Sequence, residues 1–126
     1  MDILLIEPDK LLGDIYKKAL KKQGLKIELC NSAQMSVNLL DRHIPKLIIL
    51  EIQLAEHNGI EFLYELRSHQ DWKYIPVIIN SLIPAEEIGL NADLQKELGI
   101  ETVLYKPRTK LGELLEYANR SIKVKK

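Results

Sequence analysis

The sequence is poor in the residues that would commit it to several large classes of protein. Among 126 residues there is one cysteine, Cys30, so no internal disulfide can form and the fold must rest on its own core. Cys30 closes the alternating stretch Ile27-Glu28-Leu29-Cys30 and reads as a buried strand residue, not a reactive thiol. No glycine-rich turn follows the first apolar run and no Gly-Lys-Ser/Thr loop occurs, so nucleotide and flavin phosphates lack their usual cradle. There is no surplus of either charge: 18 Lys and Arg face 18 Asp and Glu, which argues against bulk attraction to nucleic acid or an anionic membrane. The balance holds along the chain, with 8 basic and 9 acidic residues up to position 63 and 10 and 9 beyond it. The start, Met1 to Glu7, has no basic leader and only four consecutive apolar residues, so neither a signal peptide nor a membrane span is expected and the cytoplasm is the default location. The histidines at 43, 57 and 69 lack the spacing of a metal-binding helix and read as loop or helix-end residues. No serine stands in a nucleophile elbow.

What is present is a globular composition, 46% hydrophobic and 29% charged, in a length that suits one domain over residues 1–122 with a basic tail at 123–126. Short apolar runs at Ile3–Ile6, Leu47–Ile52, Val77–Ile79 and Val103–Tyr105 read as strands covered on both faces. Ile27–Cys30 alternates and reads as an edge strand. Helical stripes lie between them. Leu11, Leu12, Ile15, Tyr16, Ala19 and Leu20 form the first, with lysines opposite and Gly24 as its stop. Asn31-Ser32 opens a second, with Met35, Val37, Leu39 and Leu40, and Gly59 a third, with Ile60, Leu63 and Leu66. Pro84-Ala85-Glu86-Glu87 has the composition of a first turn, Gly99 ends that region, and Thr109 is placed to cap a last helix striped by Leu111, Leu114, Leu115, Ala118 and Ile122. Five βα units in succession predict an α/β, doubly wound, five-stranded parallel sheet of order 2-1-3-4-5, flavodoxin-like in form. Such sheets place ligands at the carboxyl ends of their strands. There stand Glu7-Pro8-Asp9, Glu51-Ile52-Gln53, Asn80-Ser81 and Lys106-Pro107. Two or three carboxylates, a hydroxyl and a lysine suit a divalent cation or a phosphate.

Four segments in order carry a resemblance: Ile3 to Asp9, Pro45 to Leu54 with Asn58-Gly59, Ile75 to Ser81, and Lys106-Pro107. They resemble the CheY-like response-regulator receiver domain of two-component signalling, over nearly the whole chain from Asp2 to about Ile122. The resemblance implies a phosphoacceptor at the end of strand 3, where this chain has Glu51 in place of the family's Asp. It implies an acidic pair for Mg²⁺ after strand 1, matched by Glu7 and Pro8, with Asp9 displaced by one residue, and Glu7 and Asp9 are expected to form an acidic pocket with Glu51 against Lys106. The metal set it implies is Glu7, Glu51 and the backbone carbonyl of Gln53. It implies a hydroxyl and a lysine on the phosphoryl group, kept as Ser81 and Lys106, followed by Pro107, which is cis in the family. An aromatic residue three positions before that lysine is replaced by Val103. The resemblance also implies a protein partner, a sensor kinase or a downstream effector, on the helix 4–strand 5–helix 5 face, where Tyr105, Arg108, Tyr117 and Arg120 stand, and homodimerisation through the same face.

The departures have physical consequences. Glutamate's extra methylene carries its carboxylate about 1.5 Å further than an aspartate's. Phosphoryl transfer depends on positioning and charge, and a misplacement of about 1 Å costs about 10²-fold in rate. Mg²⁺ wants near-octahedral oxygens, and Pro8 removes one carboxylate and fixes φ. Mg²⁺ is therefore expected to be weakened and no cofactor required. The chain is expected to be a non-enzymatic pseudo-receiver acting through protein contacts, independent of phosphorylation. Glu51 then either imitates the phosphorylated state with Ser81 and Lys106 or forms an ion pair that holds the loops. A conventional phosphoacceptor at Glu51 and a flavodoxin-like small-molecule binder are the alternatives. Gly89, Asn91 and Asp93 break the pattern expected of the fourth helix, which is read as remodelled.

Overall fold

The computed structural model describes residues 1–54 and 58–124, so His57 and the last two lysines of the expected tail lie outside the described residues. Five parallel strands, β1 (Ile3–Ile6), β2 (Ile27–Cys30), β3 (Leu47–Leu50), β4 (Val77–Ser81) and β5 (Ile100–Tyr105), form one sheet of order β2-β1-β3-β4-β5. The register aligns Ile6 with Cys30 and Leu50, Leu50 with Ile79, and Ser81 with Tyr105, so β1, β2 and β3 end level and β4 and β5 run two residues further at the same edge. Each strand sends alternate side chains to opposite faces. Leu4, Ile6, Ile48, Leu50, Val77 and Ile79 pack under α2 (Ala33–Leu40), α3 (Gly59–Ser68), α4 (Ala85–Ile88) and α5 (Ala92–Glu97). Ile3, Leu5, Leu47, Ile49, Ile78 and Leu104 pack under α1 (Lys10–Lys21) and α6 (Leu111–Val124). At roughly 1.5–3 kcal/mol per buried Leu, Ile or Val, coverage on both faces explains the unbroken apolar runs.

The helix ends follow the local chemistry. Asp9, Ser32, Asn58 and Asn91 accept from backbone N–H groups at the starts of α1, α2, α3 and α5. Gly59 lies so close to Ile52 that a Cβ would stand 2.7 Å from its Cα, which makes glycine a requirement of this approach. The fourth helix is broken as expected. Gly89 adopts φ +85° and ends α4 after four residues, Leu90 is buried, and Asn91 starts α5 anew.

Several expectations are corrected. Leu11 and Ile15 of the first stripe are 71% and 43% exposed, and Met35 also faces out. The helix rests on the narrower arc of Gly13, Tyr16 and Leu20, because an edge strand offers α1 little sheet to cover. Thr109 does not cap α6. Its hydroxyl donates to Tyr105 O, while Glu113 accepts from Lys110 N–H at the helix start. The Lys106–Pro107 bond is trans, not cis. Lys106–Arg108 forms a 3₁₀ turn closed by Thr109 N–H on Lys106 O, and trans is the lower-energy form for most X–Pro bonds. Helix α6 runs to Val124 with Ser121 buried, and so takes in Lys123 of the expected basic tail.

Candidate functional site

Glu7 and Glu51 are the first residues past β1 and β3, and the sheet's own hydrogen bonds hold them side by side. Glu7 N–H donates to Cys30 O at 2.9 Å, and Glu51 N–H to Ile6 O at 3.0 Å. Ser81 ends β4, and Lys106 follows the end of β5. Every one of these four side chains is nearly sealed from water, with Lys106 6% exposed and both carboxylates 2%.

Lys106 Nζ stands between the two acids, 2.6 Å from Glu7 Oε1 and 2.7 Å from Glu51 Oε1. Leu82 N–H donates to the same Glu51 oxygen at 3.1 Å. The other Glu51 oxygen accepts from the Ser81 hydroxyl, in a short bond, and from Gln53 N–H at 3.1 Å. Ile83 N–H donates to Ser81 Oγ at 3.1 Å, so the hydroxyl is oriented from behind. Asp9 N–H donates to Glu7 Oε2 at 3.1 Å. All four carboxylate oxygens thus have donors from the chain itself. Among the described residues no buried side-chain nitrogen or oxygen is left without a partner.

The charges titrate unequally. Burial pushes the Glu7 carboxyl above its ordinary value, against Lys106 and Asp9 N–H, with the neighbouring Glu51 charge adding to the rise. Burial also works against Glu51, but the bonds from Lys106, Ser81 and Gln53 N–H outweigh it and hold the carboxyl below its ordinary value. For Lys106 desolvation opposes the charge, yet Glu51 and Glu7 together raise its pKa. One ammonium is shared by two acids, and the better-supplied Glu51 keeps its charge more firmly.

Glu7, Glu51, Ser81, Lys106 and the Gln53 backbone are therefore brought together, and Asp9 is not. Its carboxylate turns outward to accept from Leu12 N–H at 3.0 Å, capping α1, because a helix start with no other acceptor draws the nearest short acid. The residues present do not fit a Mg²⁺ ion. Lys106 stands where two carboxylates would share a metal, Pro8 brings no acid, and Asp9 is spent on its cap. Among the described residues no group of three or more His, Cys, Asp or Glu is arranged to hold one. The Leu82 and Ile83 N–H groups, which complete the pocket, are invisible to motif reading because any residue but proline supplies them.

Of the expected partner face, Tyr105 and Arg108 line an open groove of about 450 Å³ with Val103, Pro84, Ala85 and Glu86. Val103 lines this groove at the position where the resemblance implied an aromatic ring. Tyr117 packs instead on the α1–α6 core, with Arg120 over its ring at 5.2 Å and paired with Glu116. Cys30 is buried against Ser36, and burial pushes its thiol up to about 11. His69 ends α3 and stacks on the buried Trp72 at 3.6 Å. No helix among the described residues is long and apolar enough to cross a membrane.

Comparison with known proteins agrees with the fold. The family profile described as the response regulator receiver domain matches residues 3–119. The transcriptional regulatory protein CpxR of Klebsiella pneumoniae is 32% identical over 106 residues, 83% of this chain and 42% of that protein. An uncharacterized 14.6 kDa protein of Leptolyngbya boryana is 26% identical over 87 residues, 69% of this chain and 66% of its own length. This chain thus spans less than two thirds of either relative. The receiver domain of the Francisella response regulator 1452 superposes with a TM-score of 0.84 at 23% identity, covering 98% of both chains. On its profile, its sheet order and the placement of its strand-end residues, the chain belongs to the response regulator receiver domain family.

Proposed function

We propose that this receiver is a phosphorylation-independent pseudo-receiver, a two-component signalling module that acts by protein contact and not by catalysis. The observation that carries the reading is the position of the Glu51 carboxylate. It accepts from Ser81 Oγ, Lys106 Nζ and Leu82 N–H, the hydroxyl, ammonium and backbone donors that would otherwise face a phosphoryl group. Glu51 in this account is a built-in imitation of the phosphorylated acceptor, and it holds the β4–α4 loop through Leu82. Divalent metal is neither required nor well held.

The partner is a protein, a sensor kinase or a downstream effector, engaging the α4–β5–α6 face at Tyr105 and Arg108. A second copy on the same face is the other candidate. The break at Gly89 gives that face a shape of its own. The test is a titration with beryllium fluoride and Mg²⁺ followed by backbone NMR. The expected result is no saturable shift at Ser81, Leu82 or Lys106; saturable shifts there would return Glu51 to the role of a conventional acceptor. Binding of a candidate partner to the unmodified chain, reduced at least about tenfold by Arg108→Glu, supports the face. An unchanged affinity moves the partner elsewhere.

A further inference from the structure

Two buried carboxylates and one buried ammonium make a cluster with a formal charge of −1, held away from water. Such a group is stable only if its cation stays in place, since removing one partner strands a buried charge. The cation here is attached to the chain. Lys106 arrives on β5, whose last residue Tyr105 pairs with Ser81, so the strand delivers the ammonium to the gap between Glu7 and Glu51. The acids are fixed in turn by Asp9, Gln53 and Leu82 N–H and by the Ser81 hydroxyl.

From this we infer that Lys106 is a tethered cation: it permanently occupies the position a divalent ion would need between Glu7 and Glu51, and its removal converts the pocket into a divalent-cation site. The inference deepens the reading of the pocket as self-occupied and does not depend on any partner. The geometry also sets the selectivity of the opened site. The two facing oxygens lie 2.6 and 2.7 Å from the ammonium nitrogen. Ca²⁺ takes oxygens at about 2.3–2.6 Å, whereas Mg²⁺ demands about 2.0–2.1 Å. Surrounding donors hold the acids at the wider spacing, so the emptied gap suits Ca²⁺ without drawing them together.

The test compares the wild-type chain with Lys106→Met, which keeps most of the stem and removes the charge. With 5 mM CaCl₂ or MgCl₂, the wild-type melting temperature is expected to move by less than about 1 °C. That of Lys106→Met starts lower and rises saturably by roughly 5 °C or more with Ca²⁺, and by less with Mg²⁺. Adding Glu7→Gln to the Met variant should abolish the response. A saturable rise in the wild type, or a folded Lys106→Met chain that ignores both ions, would overturn the inference. Should Lys106→Met fail to fold even with Ca²⁺, the wild type still decides. The Lys106 ammonium resonance in a ¹⁵N-lysine-labelled sample is expected to be unchanged by 10 mM Ca²⁺ or Mg²⁺, and its displacement would refute permanent occupancy. These readouts differ from phosphoryl-analogue binding, which tests the functional proposal, so the two can fail separately.

Discussion

Glu51 differs from an aspartate by one methylene, and that single carbon lets its carboxylate reach Ser81, Lys106 and Leu82 N–H together. Glu51→Asp therefore should not restore an ordinary acceptor at no cost. It withdraws the carboxylate from its donors, with an expected destabilisation of roughly 1–3 kcal/mol by urea unfolding. Ser81→Ala strands Ile83 N–H and leaves that Glu51 oxygen with Gln53 N–H alone, and should cost about 1–3 kcal/mol in the same assay. The pKa directions give a pH profile. Glu51, lowered below its ordinary 4.5, adds stability that is present above that pH and lost as pH falls through the lowered value. Lys106, raised above 10.5, adds stability that is present below that pH and lost as pH rises through the raised value. Glu7, raised above 4.5, opposes the first trend, its contribution being present at acid pH and lost on ionisation. Unfolding free energy measured from pH 3 to 12 should accordingly fall at both ends in the wild type. The Glu51→Gln variant should lose the Glu51 part of the acid-side fall, and Lys106→Met most of the alkaline one.

At the scale of elements, the segment between β4 and β5 is held at its two ends by different devices. Glu51 grips Leu82 at one end. At the other, the Arg67 guanidinium donates to Leu98 O at 2.6 Å, Ile75 O at 2.7 Å and Lys73 O at 3.0 Å, tying the α5–β5 turn to the start of β4. Desolvation lowers its pKa, and carbonyl oxygens are the acceptors that offset its burial. Arg67→Met is expected to cost roughly 2–3 kcal/mol, with amide exchange rising first at Leu98–Ile100. Exchange that rises uniformly would contradict a local pin. Gly89→Ala should cost about 1–2 kcal/mol, because only glycine enters φ +85° without strain. Much of this level was legible in the sequence. Unbroken apolar runs marked β1 and β3, and Gly89 and Asn91 marked the break in the fourth helix. Ser81 and Lys106 were legible because strand ends converge in a parallel sheet. Asp9 was misjudged because spacing does not say whether an acid turns to a pocket or to the nearest bare N–H groups. Leu11 and Ile15 were misjudged because a stripe gives the direction of burial and not its width. The Arg67 cage was beyond reach, since its acceptors are carbonyls that every residue carries.

At the scale of the molecule, the equal count of charges conceals a division between faces. Residues 10–26, around α1, carry six lysines against Asp14, while residues 82–99, on the opposite face of the sheet, carry Glu86, Glu87, Asp93 and Glu97 against Lys96. A protein so divided should be retained on a cation exchanger at pH 7 and low salt despite a net charge of zero. Reversing Lys17, Lys18, Lys21 and Lys22 to Glu should release it, and retention unchanged by that reversal would contradict the division. The same contrast between total and placement governs the pocket, where two acids and one lysine form a closed set inside a neutral chain. The central claim is that this set has already taken the place of the phosphoryl group. Intact-mass spectrometry after incubation with acetyl phosphate and Mg²⁺ tests it most directly. The mass is expected to stay unchanged, and a phosphoryl increment mapping to Glu51 would contradict a self-occupied pocket.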